Sequence, residues 1–395
     1  MLLALQCLVI FLIFLYWIRS KNKEFDKIPR PPGVLFLHNT LDFLSDTVPL
    51  FYQFRMLSNK YKRLFGIKLG PVNAVFINYP EDIEKVINGS AVSEKGLMYD
   101  FVEPWLKQGL LLSEGSKWHK RRKLLTRAFT FSIMSTFKSV IVENCQTFLG
   151  KLEKEVNASK TNIMPFIEDF VIHSICETAM GTKLDEEDIN FGKLYREGIY
   201  KLGQCAFYRA QRVWFHPTFT FKFTEVGKKQ EDILKIMNSF RDRVIQSRRK
   251  FYNNNKTNIV NDFNDNENDI VQFNGKVKMP LLDLLLEAEK DGVIDEKGIA
   301  EEVDTFMLGG LDTTANTIQF TMMLLANHQD AQEMIVNECN NIFGSSDRSA
   351  TMADLAQMKY LECCIKESMR LYPPIPIINR KVQQTLTLGK SITII

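Results

Sequence analysis

The feature that most constrains the fold of this chain is a pair of glycines inside a long helical pattern. An apolar helical period covers residues 298–327, and the stretch FMLGGLDTTANT, residues 306–317, lies in its middle. Glycine inside a helix is less favourable than alanine by about 1 kcal/mol per residue. Because the apolar period continues on both sides, the pattern predicts one helix that is weakened, but does not end, at residues 309–313.

The residues at the weak point indicate why a helix would tolerate them. Thr313 follows Gly309 by four positions, so its hydroxyl can bond the Gly309 carbonyl and open the helix. Without side chains at Gly309 and Gly310, a flat ligand could approach the backbone closely. Asp312 beside the hydroxyl could relay protons into a buried site. An alternative that these residues leave open is two helices, the first ending at Leu308 with a glycine cap and the second capped by Asp312.

A second motif is KESMRLYPPIPIINR, residues 366–380. Glu367 and Arg370 are three positions apart and therefore share a helix face. A break of two prolines follows, and then a second arginine, Arg380. The alternative to a functional pair is an ordinary exposed ion pair, which would contribute little stability.

A third motif is KWHKRRKLLTRAF, residues 117–129, in which Trp118 and Arg122 share a helix face. Four further basic residues crowd the same two turns: Lys117, Lys120, Arg121 and Lys123. The alternative interpretation is a solvated basic face. A nucleic-acid partner is not expected, because the formal net charge is only +3 and no row of aromatic residues accompanies the basic ones.

The cysteine content excludes two further classes of site. The seven cysteines are odd in number and scattered, which is not typical of a secreted disulfide framework. No CxxC pair occurs, so a zinc ribbon is not expected. A reducing compartment fits this cysteine usage best.

The amino-terminal segment predicts a membrane anchor. Residues 2–18, LLALQCLVIFLIFLYWI, carry no charge, and as a helix they would span about 26 Å, close to the apolar thickness of a thin bilayer. A cleaved signal peptide, the alternative, would usually end in small residues, whereas this segment ends in Tyr16, Trp17 and Ile18. Basic residues crowd positions 19–30, so the body is expected in the cytosol, on the endoplasmic reticulum membrane.

The rest of the chain is typical of a mainly α protein with small β-sheets. The pattern predicts a basic and proline-rich hinge at 19–33, strands at 64–70 and 73–79, and a helix at about 353–371. The asparagine-rich segment at about 251–278 predicts a mobile polar loop. The tail, TLTLGKSITII, predicts a hairpin.

Together and in this order, the three motifs resemble those of the cytochrome P-450 family, the haem-thiolate monooxygenases. GGLDTT resembles the oxygen-binding groove of the family's long helix, ESMR its ExxR helix, and WHKRR the helix that meets a haem propionate. EEVDTFM and MRLYPPIP resemble the microsomal family 4 branch, in particular its insect members. The resemblance implies an anchor at 1–18 and, after the hinge, one mainly helical monooxygenase domain with small sheets at 34–395.

The resemblance also implies roles for single residues. Two residues would assist proton delivery to dioxygen and are the candidate catalytic pair, Asp312 and Thr313. Five residues would contact haem or its propionates, namely Gly309, Gly310, Trp118, Arg122 and Arg380. Two residues would be structural, Glu367 and Arg370.

The implied activity is haem-dependent insertion of one oxygen atom of dioxygen into an apolar substrate, which could be fatty-acid-like, a hormone or a xenobiotic. Electrons would come from NADPH through the membrane-bound NADPH-cytochrome reductase, docked on the basic face at 117–123. Many family 4 members carry, at the position of Gly309, a glutamate that can form an ester with haem. Because glycine stands there, haem is not expected to be covalently attached.

One departure from the family pattern affects the expected activity. The family's cysteine ligand lies in an FxxGxRxCxG loop well after the ExxR helix, and none of the seven cysteines has that context. Cys363 and Cys364 lie inside the ExxR helix and are interpreted as packed residues. The sequence therefore predicts a fold incomplete at its carboxyl terminus, with no metal ligand and no activity as given. The alternatives are a membrane-anchored, non-catalytic lipid-binding protein and a decoy that binds the reductase.

Overall fold

The structure, a computed structural model, describes residues 2–19, 24–35, 37–89, 94–184, 186–254, 280–388 and 392–394. Its helices are α1 Leu2–Arg19, α2 Thr47–Tyr61, α3 Pro80–Asn88, α4 Glu103–Leu106, α5 Gly115–Leu125, α6 Phe131–Thr136, α7 Lys138–Glu153, α8 Met164–Thr178, α9 Glu186–Gln211, α10 Thr218–Lys222, α11 Glu225–Asn254, α12 Leu281–Lys290, α13 Glu296–Asn327, α14 Gln329–Phe343, α15 Met352–Gln357 and α16 Lys359–Leu371. Its strands are β1 Leu64–Leu69, β2 Val72–Ile77, β3 Leu386–Leu388 and β4 Ile392–Ile394. The described chain is mainly helical with two small antiparallel sheets, β1–β2 and β3–β4, which confirms the predicted fold class.

The chain divides into two compact units. The first unit contains Met1–Val102, Gly203–Gln230 and Asn379–Ile395. The second unit contains Glu103–Leu202 and Glu231–Ile378. The single domain predicted for residues 34–395 stays a prediction.

Strand β1 forms the buried centre of the first unit. Side chains alternate across a strand, so Leu64 and Phe65 point to opposite faces of the sheet. Phe65 is fully buried and stacks on Phe76 of the partner strand, with ring centroids 5.1 Å apart. Leu64 packs on the other face against Phe25, Ile28 and Leu388. Both faces are therefore covered, and the two strands predicted in this region are confirmed.

The carboxyl-terminal part of the chain differs from the prediction at one point. The helix predicted over residues 353–371 is wrong, because α15 and α16 are separate helices that meet at Met358. Glu338 of α14 accepts hydrogen bonds from the backbone N–H groups of Tyr360 and Leu361 at 2.7 and 3.0 Å. This side chain from another helix gives α16 an amino-terminal cap of its own. The predicted tail hairpin is confirmed as β3–β4.

The first four residues of the predicted polar loop are helical. Residues 251–254 form the end of α11, and residues 255–279 lie outside the described part of the chain. Tyr252 is buried, and the Lys290 ammonium of α12 lies 4.2 Å from the centre of its ring. This packing against α12 favours helix over loop at residues 251–254, although their asparagines alone would not.

The predicted anchor region is helical. Helix α1 covers Leu2–Arg19, and its side chains from Leu5 to Ile13 are all exposed. Among the described residues, no helix combines the length and the apolar character needed to cross a membrane. The membrane anchor predicted for residues 2–18 stays a prediction.

Helix α13 organises the second unit. It packs against α4, α8, α12, α14 and α16. One stripe of its surface, with side chains four residues apart, is almost completely buried, at Val303, Met307, Leu311 and Ala315. This spacing places the four side chains on one face of the helix. The helix is therefore fixed along its length, and so are the side chains that it presents.

Candidate functional site

The glycine pair lies within one unbroken helix, as predicted. Every residue of α13 from Glu296 to Asn327 is helical. Its amino-terminal cap is Asp295, whose Oδ1 accepts a hydrogen bond from the Gly298 amide at 2.8 Å. The alternative, in which one helix ends at Leu308, is wrong, because no second helix starts within this stretch.

The side chain of Thr313 is hydrogen-bonded to the carbonyl of Gly309. Its hydroxyl donates to the Gly309 oxygen at 2.6 Å. A Cβ added at Gly309 would meet no atom within 4 Å, so the helix surface beside this hydroxyl is open. Thr317 and Thr321 form the same bond to the carbonyls four residues earlier, each at 2.8 Å. Of these three threonines, Thr313 is the one whose acceptor is a glycine, where a planar ligand could reach the backbone.

The reason for a glycine at position 310 differs from the reason at Gly309. A Cβ at Gly310 would lie 1.9 Å from the Ile175 Cδ1 of α8, far inside van der Waals contact. Gly310 therefore allows α8 to approach α13 closely. This packing does not support a contact between Gly310 and haem, and the predicted cofactor role of Gly310 stays a prediction.

Asp312 of α13 is close enough to α8 for its charge to affect a carboxyl group on that helix. Burial raises the pKa of Asp312, and the Asn316 side chain, which donates to its Oδ1 at 3.2 Å, partly opposes the rise. Burial also raises the pKa of Glu168 on α8, and the charge of Asp312 adds to that rise. The two candidate catalytic residues are adjacent in sequence, but the hydroxyl of Thr313 turns back to Gly309 while the carboxyl of Asp312 interacts with α8.

Trp118 and Arg122 form a stacked pair on α5. The Arg122 guanidinium lies over the indole ring at 5.0 Å from the ring centre. Arg122 is exposed and Trp118 is half-buried. A cation–π contact of this kind orients a guanidinium. Because a guanidinium has five N–H donors, the stacked arginine can still bind a carboxylate.

The basic face of α5 is divided between the interior and the surface. Lys117 pairs with the Glu301 carboxylate at 2.8 Å, and Arg121, whose side chain is 12% exposed, lies 3.9 Å from the same carboxylate. Lys120 and Lys123 are exposed, and they line a cavity of about 510 Å³ between α5 and α12. Fewer basic side chains of α5 therefore face solvent than predicted, because Glu301 of α13 pairs with Lys117 and lies near Arg121.

Sequence reasoning misses two buried acids of the EEVDTFM segment. Glu302 Oε2 accepts a hydrogen bond from the Leu110 amide at 3.0 Å, and burial raises the pKa of Glu302 to about 7. Asp304 Oδ2 accepts a hydrogen bond from Arg241 at 2.7 Å, and burial raises the pKa of Asp304 to about 6 despite this cation. The available signal was three acids within four residues of a central apolar helix, since acids so placed cannot all face water.

The ExxR pair and the second arginine lie in different units. Arg370 forms two hydrogen bonds to the Glu367 carboxylate, both at 2.7 Å, and both side chains are exposed. Arg380 belongs to the first unit, where its backbone bridges to Lys95. The predicted meeting of Arg380 with Trp118 beside the glycine pair is not tested by the structure and stays a prediction.

The haem that the resemblance implies can be compared with these residues. A flat ring fits the open surface beside Gly309, and a propionate carboxylate fits the exposed guanidinium of Arg122. Burial raises the pKa of the Cys145, Cys176 and Cys205 thiols, which disfavours the thiolate form. The expectation that none of the seven cysteines is the iron ligand stays a prediction.

A family model and the most similar known proteins point to the same family. The family model described as Cytochrome P450 matches residues 29–394. Cytochrome P450 4c3 of Drosophila melanogaster is 35% identical over 397 residues, which are 98% of this chain and 74% of that protein. Cytochrome P450 4c21 of Blattella germanica is 32% identical over 98% of this chain and 76% of its own length. Cytochrome P450 4V2 of Homo sapiens is 34% identical over 85% of this chain and 63% of its own length. The chain therefore belongs to the cytochrome P450 family of haem monooxygenases, and these relatives are members of its family 4 branch.

Proposed function

We propose that this protein, in a form whose haem iron has a ligand, hydroxylates an apolar, fatty-acid-like substrate at the open face of α13. The observation that carries the proposal is the Thr313 hydroxyl, held 2.6 Å from the Gly309 carbonyl in an unbroken helix, with no atom within 4 Å of a Cβ placed on that glycine. One turn earlier, the Phe306 ring stacks on Phe129 with centroids 5.1 Å apart. This aromatic pair supplies an apolar wall near the open face, and the family 4 resemblance suggests the fatty-acid-like class.

The residues of the site have separable tasks in this proposal. Haem, when bound, supplies the binding and activation of dioxygen. The Thr313 hydroxyl can turn its proton from the Gly309 carbonyl toward a ligand in the open space. Asp312, whose pKa is raised by burial, keeps its proton to higher pH than an exposed aspartate does. Trp118 orients Arg122, whose guanidinium would hold a propionate.

The threonine is tested by replacing Thr313 with valine, which keeps the shape and removes the hydroxyl. We expect the haem-loaded variant to form roughly 10- to 100-fold less hydroxylated lauric acid per NADPH consumed, because the proton donor is lost. Haem content, measured by absorbance, is expected to be unchanged. Thr321→Val is the matched control, because Thr321 makes the same bond to a carbonyl four residues earlier. Equal product yield in both variants would exclude a role for Thr313 in proton delivery, and no product from a loaded wild type whose haem iron has a ligand would exclude the proposed activity.

We also propose that an acidic NADPH-dependent reductase docks on the exposed part of the α5 basic face. Charge reversal of Lys120 and Lys123 to glutamate is expected to weaken reductase binding about tenfold and to reduce its salt dependence. Binding is measured by titration at several ionic strengths. Lys235→Glu on α11 is the control. It reverses the charge of a lysine that is also exposed. The docking site is wrong if this control weakens binding as much as the α5 variant does.

We further propose that α1 attaches the protein to the endoplasmic reticulum membrane with its body in the cytosol. The exposed apolar side chains of residues 5–13 support this proposal, since such a surface is unfavourable in water. The full chain is expected to float with liposomes in a density gradient, and a variant without residues 2–19 is expected to remain at the bottom. Flotation of both would refute attachment by α1. A glycan at Asn157 after translation with microsomes would refute the cytosolic orientation.

A further inference from the structure

The cavity of about 510 Å³ between α5 and α12 has opposite charges on its two walls. The wall formed by α5 and the turn after it contributes five basic side chains, Lys117, Lys120, Arg121, Lys123 and Arg127. The wall formed by α12 and the residues after it contributes two acidic side chains, Glu287 and Asp291. Both walls belong to the second unit. The volume lies within the range of about 300–1,000 Å³ that small-molecule sites have.

The opposite charges of the two walls do not pair with each other. In the described part of the chain, Lys120, Lys123 and Arg127 form no ion pair with an acid at 4.0 Å or less. The same is true of Glu287 and Asp291 with respect to the bases that the structure describes. All five side chains are exposed. Their charges are therefore available to a ligand that lies between the two walls.

Arg121 is the most buried cation of the basic wall, and its guanidinium makes no hydrogen bond. It lies 3.9 Å from the Glu301 carboxylate and 3.8 Å from the Glu302 carboxylate, which are distances of an ion pair but too long for a hydrogen bond. Its buried Nη1 atom has no hydrogen-bond partner among the described residues. Arg121 can therefore turn a donor toward the cavity without breaking a hydrogen bond.

The basic wall selects the charged group of the ligand. Glu301 pairs with Lys117 at 2.8 Å, which leaves four cations of this wall against the two acids of the other wall. A phosphate monoester carries about −1.5 to −2 charges at pH 7 and has three strong acceptor oxygens. A carboxylate carries a single charge and has two acceptor oxygens. A phosphate therefore matches the excess of cations better than a carboxylate does.

The acidic wall selects the rest of the ligand. Glu287 and Asp291 are four positions apart, and ionised carboxylates can only accept hydrogen bonds. Leu284 and Ala288 line the cavity beside them. The part of the ligand that faces this wall must therefore donate hydrogen bonds and present carbon atoms. Hydroxyl groups on a short carbon skeleton do both, whereas a phosphate would be repelled there.

We propose that this cavity binds a small organic phosphate that carries hydroxyl groups. The phosphate accepts hydrogen bonds from Lys120, Arg121 and Arg127, and the hydroxyl groups donate to Glu287 and Asp291. Soluble sugar phosphates and the headgroups of phosphorylated inositol lipids share this chemistry. The cavity includes the two lysines of the proposed reductase dock, but its occupation by a phosphate needs neither reductase nor haem, so the two proposals can fail separately.

Calorimetric titration of the full chain with glycerol 3-phosphate tests the proposal, because this probe has one phosphate and two hydroxyl groups. We expect saturable binding at one site per chain. Inorganic phosphate lacks the hydroxyl-bearing skeleton and is expected to bind at least about fivefold more weakly. Glycerol lacks the phosphate and is expected to show no saturable binding. Equal affinities for glycerol 3-phosphate and inorganic phosphate would overturn the proposal.

The basic wall is tested by the double variant Lys120→Gln with Arg127→Gln. We expect its affinity for glycerol 3-phosphate to fall about tenfold, because two charged donors are lost. The double variant Lys235→Gln with Lys366→Gln is the matched control, because it removes the same number of charges from exposed lysines of α11 and α16. Equal losses in the two double variants would indicate a diffuse attraction by net charge and would overturn the site.

The acidic wall is tested by the double variant Glu287→Ala with Asp291→Ala. Removing these acids lowers the repulsion of every phosphate, so the informative quantity is the ratio of two affinities. We expect the preference for glycerol 3-phosphate over inorganic phosphate to disappear. An unchanged preference would overturn the assignment of the hydroxyl groups to this wall.

Vesicles distinguish the two sources of the phosphate. The probe is phosphatidylinositol 4-phosphate in phosphatidylcholine vesicles, and phosphatidylcholine vesicles alone give the baseline for attachment through α1. Binding above this baseline that the variant Lys120→Gln with Arg127→Gln abolishes would assign the phosphate to a lipid headgroup. Binding of glycerol 3-phosphate without such an increase would assign it to a soluble ligand. The proposal is overturned if neither probe binds.

Discussion

Replacing Arg248 with alanine is expected to lower the free energy of unfolding by about 3–5 kcal/mol. Arg248 of α11 donates to both oxygens of Asp283 on α12, at 2.6 and 2.5 Å, and to the Gly181 carbonyl at 2.6 Å. Asp283 is fully buried, so the variant would leave a carboxylate without its cation. Gly181 supports the arrangement, because its φ of +63° and the Arg248 Cζ only 2.7 Å from its Cβ position both exclude a side chain.

Denaturant unfolding of the purified protein measures this effect. Lys235→Ala is the matched control on the same helix, because its ion pair with Asp232 is highly exposed and is expected to contribute little to stability. The double variant Arg248→Met with Asp283→Leu removes both charges and is expected to recover most of the lost stability. A loss below about 1 kcal/mol in Arg248→Ala would show that Asp283 finds another partner or reaches water.

The second large effect is a fall in folding stability with rising pH, and it arises from Glu302. Burial raises the pKa of Glu302 from 4.5 to about 7 in the folded protein. The folded state therefore holds this proton more tightly than the unfolded state, so this carboxyl lowers stability as the pH rises from about 4.5 to about 7. A shift of this size corresponds to about 3 kcal/mol. The contribution is fully favourable below the unfolded pKa and is lost above the folded one.

Glu302→Gln isolates this effect, because glutamine can still accept the hydrogen bond from Leu110 but cannot ionise. The stability of the wild type relative to this variant is expected to fall by about 3 kcal/mol between pH 4.5 and pH 7.5. Denaturant unfolding at a series of pH values provides the measurement. The exposed Glu287→Gln provides the control, for which parallel curves are expected. Parallel curves for Glu302→Gln would contradict a raised pKa at Glu302.

Local pattern was sufficient for the main elements of the fold. The span of α13, the pairing of β1 with β2 and the terminal hairpin follow from the period of apolar residues and from turn residues. These signals act over a few neighbouring positions, and the chain itself carries them. The bond from Thr313 to Gly309 was predictable for the same reason, because both groups lie within one helical turn.

The partners of charged residues could not be predicted in this way. Lys117 is 184 positions from Glu301 in sequence, yet the two side chains form an ion pair at 2.8 Å. Arg121 is nearly buried next to the same acid, so the basic stretch does not form one solvated face. A periodic pattern tells which residues share a face of one helix. It does not tell which other helix covers that face.

The two glycines of the stretch at 306–317 show most clearly which properties come from the sequence and which come from the tertiary structure. The sequence by itself determined that the helix carries two positions without side chains, followed by an acid and two hydroxyls. Only the tertiary structure decided that Gly309 is open while Gly310 lies against Ile175, because the approach of α8 distinguishes two residues that are alike in the chain. The same approach brought Asp312 into the electrostatic reach of Glu168. Side-chain chemistry and spacing are local properties, whereas burial and charge environment depend on contacts between helices distant in sequence.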